Sequence, residues 1–132
     1  SDNNLNNIIS LLDKPEIIRK KVMRAVTDSN KIIKYDKSRP GISNLVNIYS
    51  IINGISHNAI EKEFNGKMYS EFKKELGESI INYLEPIQKQ YYKLINDKKY
   101  LESILDSGAN NAYHRARKTL TKVYRKVGFL PK

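Results

Sequence analysis

The chain has 132 residues, with 24 Lys and Arg against 14 Asp and Glu, a formal net charge of +10. One helical domain of this length can bury a core without staples, and a balance this basic makes a polyanion the natural partner, nucleic acid before membrane. Cysteine is absent, which excludes disulfides and thiolate metal sites. No apolar run nears the ~20 residues needed to span a bilayer, and the polar start SDNNLNN lacks the layout of a signal peptide.

Residues 1–7 are polar and carry no periodicity, as expected of a cut fragment, and the apolar run Ile8 to Leu12 reads as extended. A helix is predicted from Asp13 to Ser29. Asp13 and Glu16 have capping-box spacing, and Pro15 sits in the first turn, where its missing N–H costs nothing. Ile18, Val22, Ala25 and Val26 form its apolar stripe, while Lys14, Lys20, Lys21 and Arg24 fall off it. Lys31 to Tyr35 is β-branched and reads as extended, followed by a turn-rich loop, Asp36 to Gly41. A second helix, Ile42 to Asn53, places Leu45, Ile48, Tyr49 and Ile52 on one face and ends at Gly54. Ser56 caps a short helix holding Ile60 and Phe64, and Asn65-Gly66 is a turn.

A long helix then runs from Tyr69 to Asn96. Its apolar positions are Phe72, Leu76, Ile80, Tyr83, Leu84, Ile87, Tyr91 and Leu94, and Pro86 is expected to kink it. The last helical region, Tyr100 to Val127, is expected to bury Leu101, Ile104, Leu105, Gly108, Ala112, Ala116, Leu120, Val123 and Val127, with a possible break at Gly108 and an end at Gly128. The fold class is all-α: about five helices in an irregular bundle.

Two basic rows are candidate nucleic-acid contacts. On the last helix His114, Lys118, Lys122 and Arg125 recur at i, i+4, i+8 and i+11, with Arg115, Arg117 and Lys126 beside them. No Asp or Glu occurs between Gly108 and Lys132. On the first helix the row is Lys14, Lys20, Lys21 and Arg24. The opposing reading is a solvated charged face. Tyr35, in a loop, is a stacking candidate for a splayed base, whereas Tyr49, Tyr83 and Tyr91 read as core. Asp28 and Ser29 read as turn formers rather than base readers. His57 and His114 lack metal spacing, so no metal site is predicted.

The order of these pieces resembles the tryptophanyl-tRNA synthetases of class I. The initial SDNN is similar to the last Ser-Asp of the KMSKS signature, IRKKVMRAVTDS (residues 18–29) to the helix that follows it, RPGISNLVNIYS (39–50) to a KPGISNLL-type segment, and YSEFKKELGESIINYLEPIQKQY (69–91) to the family's long helix. The resemblance implies that residues 1–132 are the C-terminal helical, anticodon-binding domain, residues 1–12 being the remnant of the KMSKS loop and a linker. It implies a full-length enzyme, a homodimer in the cytoplasm, that activates tryptophan with ATP and Mg and transfers it to tRNA(Trp). Ser1 would be the remnant of the ATP loop. Lys20, Lys21, Arg24, Arg115, Lys118, Lys122 and Arg125 would contact the tRNA, and no catalytic residue would lie in the fragment. The Rossmann domain, the HIGH-type motif and the signature lysines are missing from these residues, so the fragment is expected to be an inactive monomer that binds no cofactor. The alternatives are a stand-alone basic helical nucleic-acid-binding protein, for which no recognition helix after a tight turn is convincing, and an interaction domain whose charge only gives solubility.

Overall fold

The computed structural model describes residues 4–130, with the side chain of Leu5 excepted. Ser1, the expected ATP-loop remnant, lies outside the described residues. After a single 3-10 turn at Leu5–Asn7 come α1 (Pro15–Arg24), α2 (Pro40–Asn53), α3 (His57–Glu63), α4 (Tyr69–Asn96) and α5 (Lys98–Val127). There is no strand among the described residues. The class is all-α, with five α-helices as expected. The chain divides into two compact units, residues 1–89 and 90–132.

The first unit is built on a single core. Ile18 and Val22 of α1, Ile42, Leu45, Val46 and Tyr49 of α2, Ile60 of α3 with Phe64 beyond it, and Phe72, Leu76, Ile80 and Leu84 of α4 are all buried. Each such side chain contributes roughly 1.5–3 kcal/mol on leaving water. At the centre Tyr49, Phe64 and Phe72 meet edge-on or tilted, with ring centroids 5.0–5.6 Å apart. Ile33 joins the core from the extended segment before α2.

Local chemistry fixes several ends as the sequence predicts. Gly54 closes α2 in the left-handed region at φ 66°, and Ser56 caps α3 by accepting from the Ala59 N–H. A cap that the sequence reading did not name starts α4: the Met68 N–H donates to Glu71 (2.7 Å). α4 ends at Asn96 as expected, and Pro86 lies within it.

The start of α1 departs from expectation. Its N-cap is Lys14, with no side-chain cap. Asp13 instead accepts from the Ser10 N–H (2.9 Å) and from the Lys21 ammonium (2.6 Å). The end departs too: α1 stops at Arg24, not Ser29, and Val26 is exposed rather than on a buried stripe. The cause is long-range. Lys73, buried on α4, donates to the Ala25 carbonyl (2.7 Å) and to Thr27 Oγ1 (3.2 Å). That ammonium takes up the end of the helix, and its burial pushes the Lys73 pKa down.

The second unit contains the end of α4 and all of α5. α5 is continuous through Gly108, so the possible break there does not occur. Asp97 caps it by accepting from the Tyr100 N–H (3.0 Å). Gly128, left-handed at φ 77°, ends it: the Phe129 N–H donates to the Tyr124 carbonyl (2.8 Å) and the two rings meet edge-on at 5.9 Å. No residue of α5 is buried. Of the expected buried side, Ile104, Leu105, Gly108, Ala112, Ala116, Leu120, Val123 and Val127 are therefore exposed, and Leu101 is half-buried. Periodicity marks an apolar face, but nothing among the described residues buries it. Tyr83 and Tyr91, expected in the core, are likewise exposed.

Candidate nucleic-acid interface

α5 turns a spacing in the sequence into a surface. Because the helix is unbroken from Lys98 to Val127, His114, Lys118, Lys122 and Arg125 share one face, with Arg115 on its flank. All five are exposed. The side chains of Arg115, Lys118, Lys122 and Arg125 make no hydrogen bond or ion pair among the described residues. From Gly108 to the end of the chain there are seven Lys or Arg and no Asp or Glu. Arg117 is different: its guanidinium donates to the Tyr113 hydroxyl and lies over that ring at 5.7 Å. A row of four unpaired cations on a helix face is suited to successive phosphates, because binding there releases condensed counterions without breaking an internal ion pair.

The basic row of α1 divides into two kinds of residue. Lys20 and Arg24, one turn apart, are exposed and share a face. Lys21 is committed inward. Its ammonium donates to Asp13 and to the Ile8 carbonyl (2.7 Å), and its side chain is only 14% exposed. This pair ties residues 8–13 to α1, and the hydrogen bond from Lys21 is the main reason the Asp13 carboxyl is held below its usual range.

The loop from α1 to α2 is organised by a cluster that sequence reasoning missed. The Arg39 guanidinium forks onto Asp28 with two 2.9 Å hydrogen bonds, and donates also to the Ile32 carbonyl (2.8 Å) and the Tyr69 hydroxyl. Asp28 further accepts from the Asn30 N–H and from Tyr69 (both 2.9 Å). Arg39 first, then these donors, hold the Asp28 carboxyl far below the usual carboxylate range. Its oxygens are thus used internally, in keeping with a turn-forming rather than base-reading role. Only an unpaired Asp in a turn and an Arg before Pro40 hinted at the pairing. Tyr35, the stacking candidate, already has a neighbour: its ring is half-buried and stacks on His57 at 4.5 Å. No group of three or more His, Cys, Asp or Glu among the described residues could hold a metal ion.

Residues 1–85 match the family model of class I tRNA synthetases (W and Y). The chain belongs to that family. It is 43% identical to the tryptophan–tRNA ligase of Clostridium perfringens over 132 residues, all of this chain and 40% of the relative. It is 49% identical to that of Listeria monocytogenes over 129 residues, 97% of this chain and 39% of the relative. The crystal structure of tryptophanyl-tRNA synthetase from Mycoplasma pneumoniae superposes with a TM-score of 0.72 at 29% identity, over 98% of this chain and 40% of that one. The fold is that of the C-terminal helical domain of such a synthetase. The chain therefore spans about 40% of the length of the curated relatives it matches. The family model ends inside α4. The Clostridium perfringens ligase aligns through α5 as well.

Proposed function

We propose that this chain is the tRNA-binding helical part of a tryptophan–tRNA ligase, and that Arg115, Lys118, Lys122 and Arg125 hold the backbone of the anticodon arm of tRNA(Trp). The observation that carries the reading is the exposed, unpaired cation row of α5 on a stretch without a single acid. Lys20 and Arg24 supply further phosphate contacts from α1, with Lys21 buttressing that helix from below. The complete ligase activates tryptophan with ATP in the cytoplasm and transfers it to the tRNA. We assign ATP, magnesium and tryptophan to the rest of the ligase, with this chain supplying the tRNA term. No helix is long and apolar enough to cross a membrane. The stand-alone DNA-binding reading finds no support in relatives that are tRNA ligases.

The test uses the full-length ligase carrying Lys118→Ala and Lys122→Ala together. Tryptophan-dependent ATP–pyrophosphate exchange should be unchanged, while tRNA charging should fall through weaker tRNA binding. The log–log dependence of tRNA affinity on salt should flatten by roughly 0.7 to 0.9 per lost phosphate contact. Unchanged tRNA affinity with an unchanged salt slope would reduce the row to a solvated face.

A further inference from the structure

The first unit holds an open cleft of about 790 Å³ bordered by Asn6, Asn7 and Ile9, the end of α1 and the start of α2. Small-molecule sites run roughly 300–1,000 Å³. Its floor is apolar, formed by the core residues Val22, Leu45, Leu76 and Ile80 with Ile48 at the side. Val26, 86% exposed on the rim, continues that apolar surface to water. Its mouth is polar. Arg24 and Asn44 line it, both exposed and both without a hydrogen-bonding or ionic partner among the described residues. Lys21 contributes its stem to the wall, its ammonium being held by Asp13 and Ile8. The cleft keeps its shape because Gly41 lets α2 start directly against the end of α1: a Cβ at position 41 would lie 2.5 Å from the Val26 carbonyl oxygen.

We propose that this cleft receives one unstacked nucleobase of an RNA, with Arg24 on the adjoining phosphate and Asn44 on the base edge. The proposal rests on the RNA-binding reading above and adds a base contact to its backbone contacts. Three features converge on this occupant. A flat base covers its faces against the aliphatic floor, a free carboxamide offers one donor and one acceptor to a base edge, and a free guanidinium stands beside them for the phosphate. An aliphatic side chain of a polypeptide would use the floor but bring no anion to Arg24, and the net charge of +10 favours the anionic partner.

The test follows the methyl NMR signals of Leu45, Ile48, Leu76 and Ile80 in the full-length ligase. The probes are AMP, CMP, GMP and UMP, an RNA hairpin with an unpaired loop, and N-acetyl-leucine amide. At least one mononucleotide should shift these methyls at millimolar concentration, and the hairpin should shift the same set at lower concentration. Ile48→Trp, which fills the cleft, should weaken hairpin binding about tenfold with the salt slope unchanged, because no phosphate contact is lost. Arg24→Gln should flatten the slope by roughly 0.7 to 0.9. If the hairpin binds and the cleft methyls stay still, the proposal fails while the RNA-binding reading stands. If the hairpin does not bind at all, both fail. Shifts with N-acetyl-leucine amide and none with nucleotides would make the cleft a polypeptide groove and overturn the proposal. The wild-type titrations decide these outcomes even if Ile48→Trp does not fold.

Discussion

The two units hold their helices by different means. In residues 1–89, thirteen apolar side chains are buried around the Tyr49–Phe64–Phe72 cluster, and the helices are as short as seven residues. A seven-residue helix is not stable in water on its own, so α3 exists because Ile60 and Phe64 are buried. In residues 90–132, α5 runs for 30 residues without one buried side chain. It is supported by length, by Asp97 at its start and by the Gly128 turn at its end. A helix that buries nothing keeps every cation exposed for a partner. Where burial dominates, as at Lys21 and Lys73, the cations are used inward instead.

The largest expected effect breaks or upholds that contrast directly. Phe72→Ala empties a fully buried site in the first unit and should cost about 3–5 kcal/mol in urea unfolding. Leu105→Ala, on the apolar side of α5 but 72% exposed, should cost less than about 0.5 kcal/mol. Comparable losses would show that α5 is held by burial after all.

Much of the first unit was legible because its signals are local. Gly54, the Ser56 cap, the four-residue steps of Phe72, Leu76, Ile80 and Leu84, and the full extent of α4 all follow from spacing and turn chemistry. What was misread depends on partners far away in sequence. Asp13 has the spacing of a cap, yet Lys21 claims its carboxylate. Val26 completes an apolar stripe, yet Lys73 ends the helix before it, and Arg39 meets Asp28 and Tyr69 across gaps that no periodicity records. The basic row on α5 was legible as a pattern and is exposed as the pattern requires. Its apolar counterpart was legible as a face but not as exposed, since spacing alone does not say whether a neighbour covers it. The cleft above α1 was not legible, because it depends on the close approach at Gly41.

Acid should also separate the units. The Asp28 carboxyl is depressed in the folded state, chiefly by the Arg39 hydrogen bond, and Asp13 and Glu78 are depressed by Lys21 and Arg19 in the same way. A folded pKa below the unfolded one gives stability that is full above the ordinary carboxylate range and is lost as pH falls through it toward the folded value. All three acids lie in residues 1–89, whereas α5 beyond Gly108 has no carboxylate to titrate. Urea midpoints of the wild type should therefore drop below about pH 5. Asp28→Asn should start lower at neutral pH and show a shallower acid decline. An equally steep decline in the variant would remove Asp28 from the account.

The smallest effect tests whether α5 is governed by local helix energetics, and it uses two glycines of opposite sign. Gly108 sits inside the helix with nothing within 4 Å of the position a Cβ would take. Alanine there loses less backbone entropy on forming helix, so Gly108→Ala should stabilise α5 by about 0.5–1 kcal/mol. Gly128 occupies the left-handed region at φ 77°, also with open space around it. Alanine there meets no neighbour but strains its own backbone, so Gly128→Ala should loosen the last turn by a similar amount, about 1 kcal/mol. Amide hydrogen exchange resolves the two. Gly108→Ala should slow exchange along α5, Gly128→Ala should speed it near Tyr124 to Val127, and neither should move the amides of α1 to α3. If Gly108→Ala left exchange in α5 unchanged while slowing it in the first unit, the helix would owe its stability to packing rather than to its own backbone, and the contrast between the two units would fail.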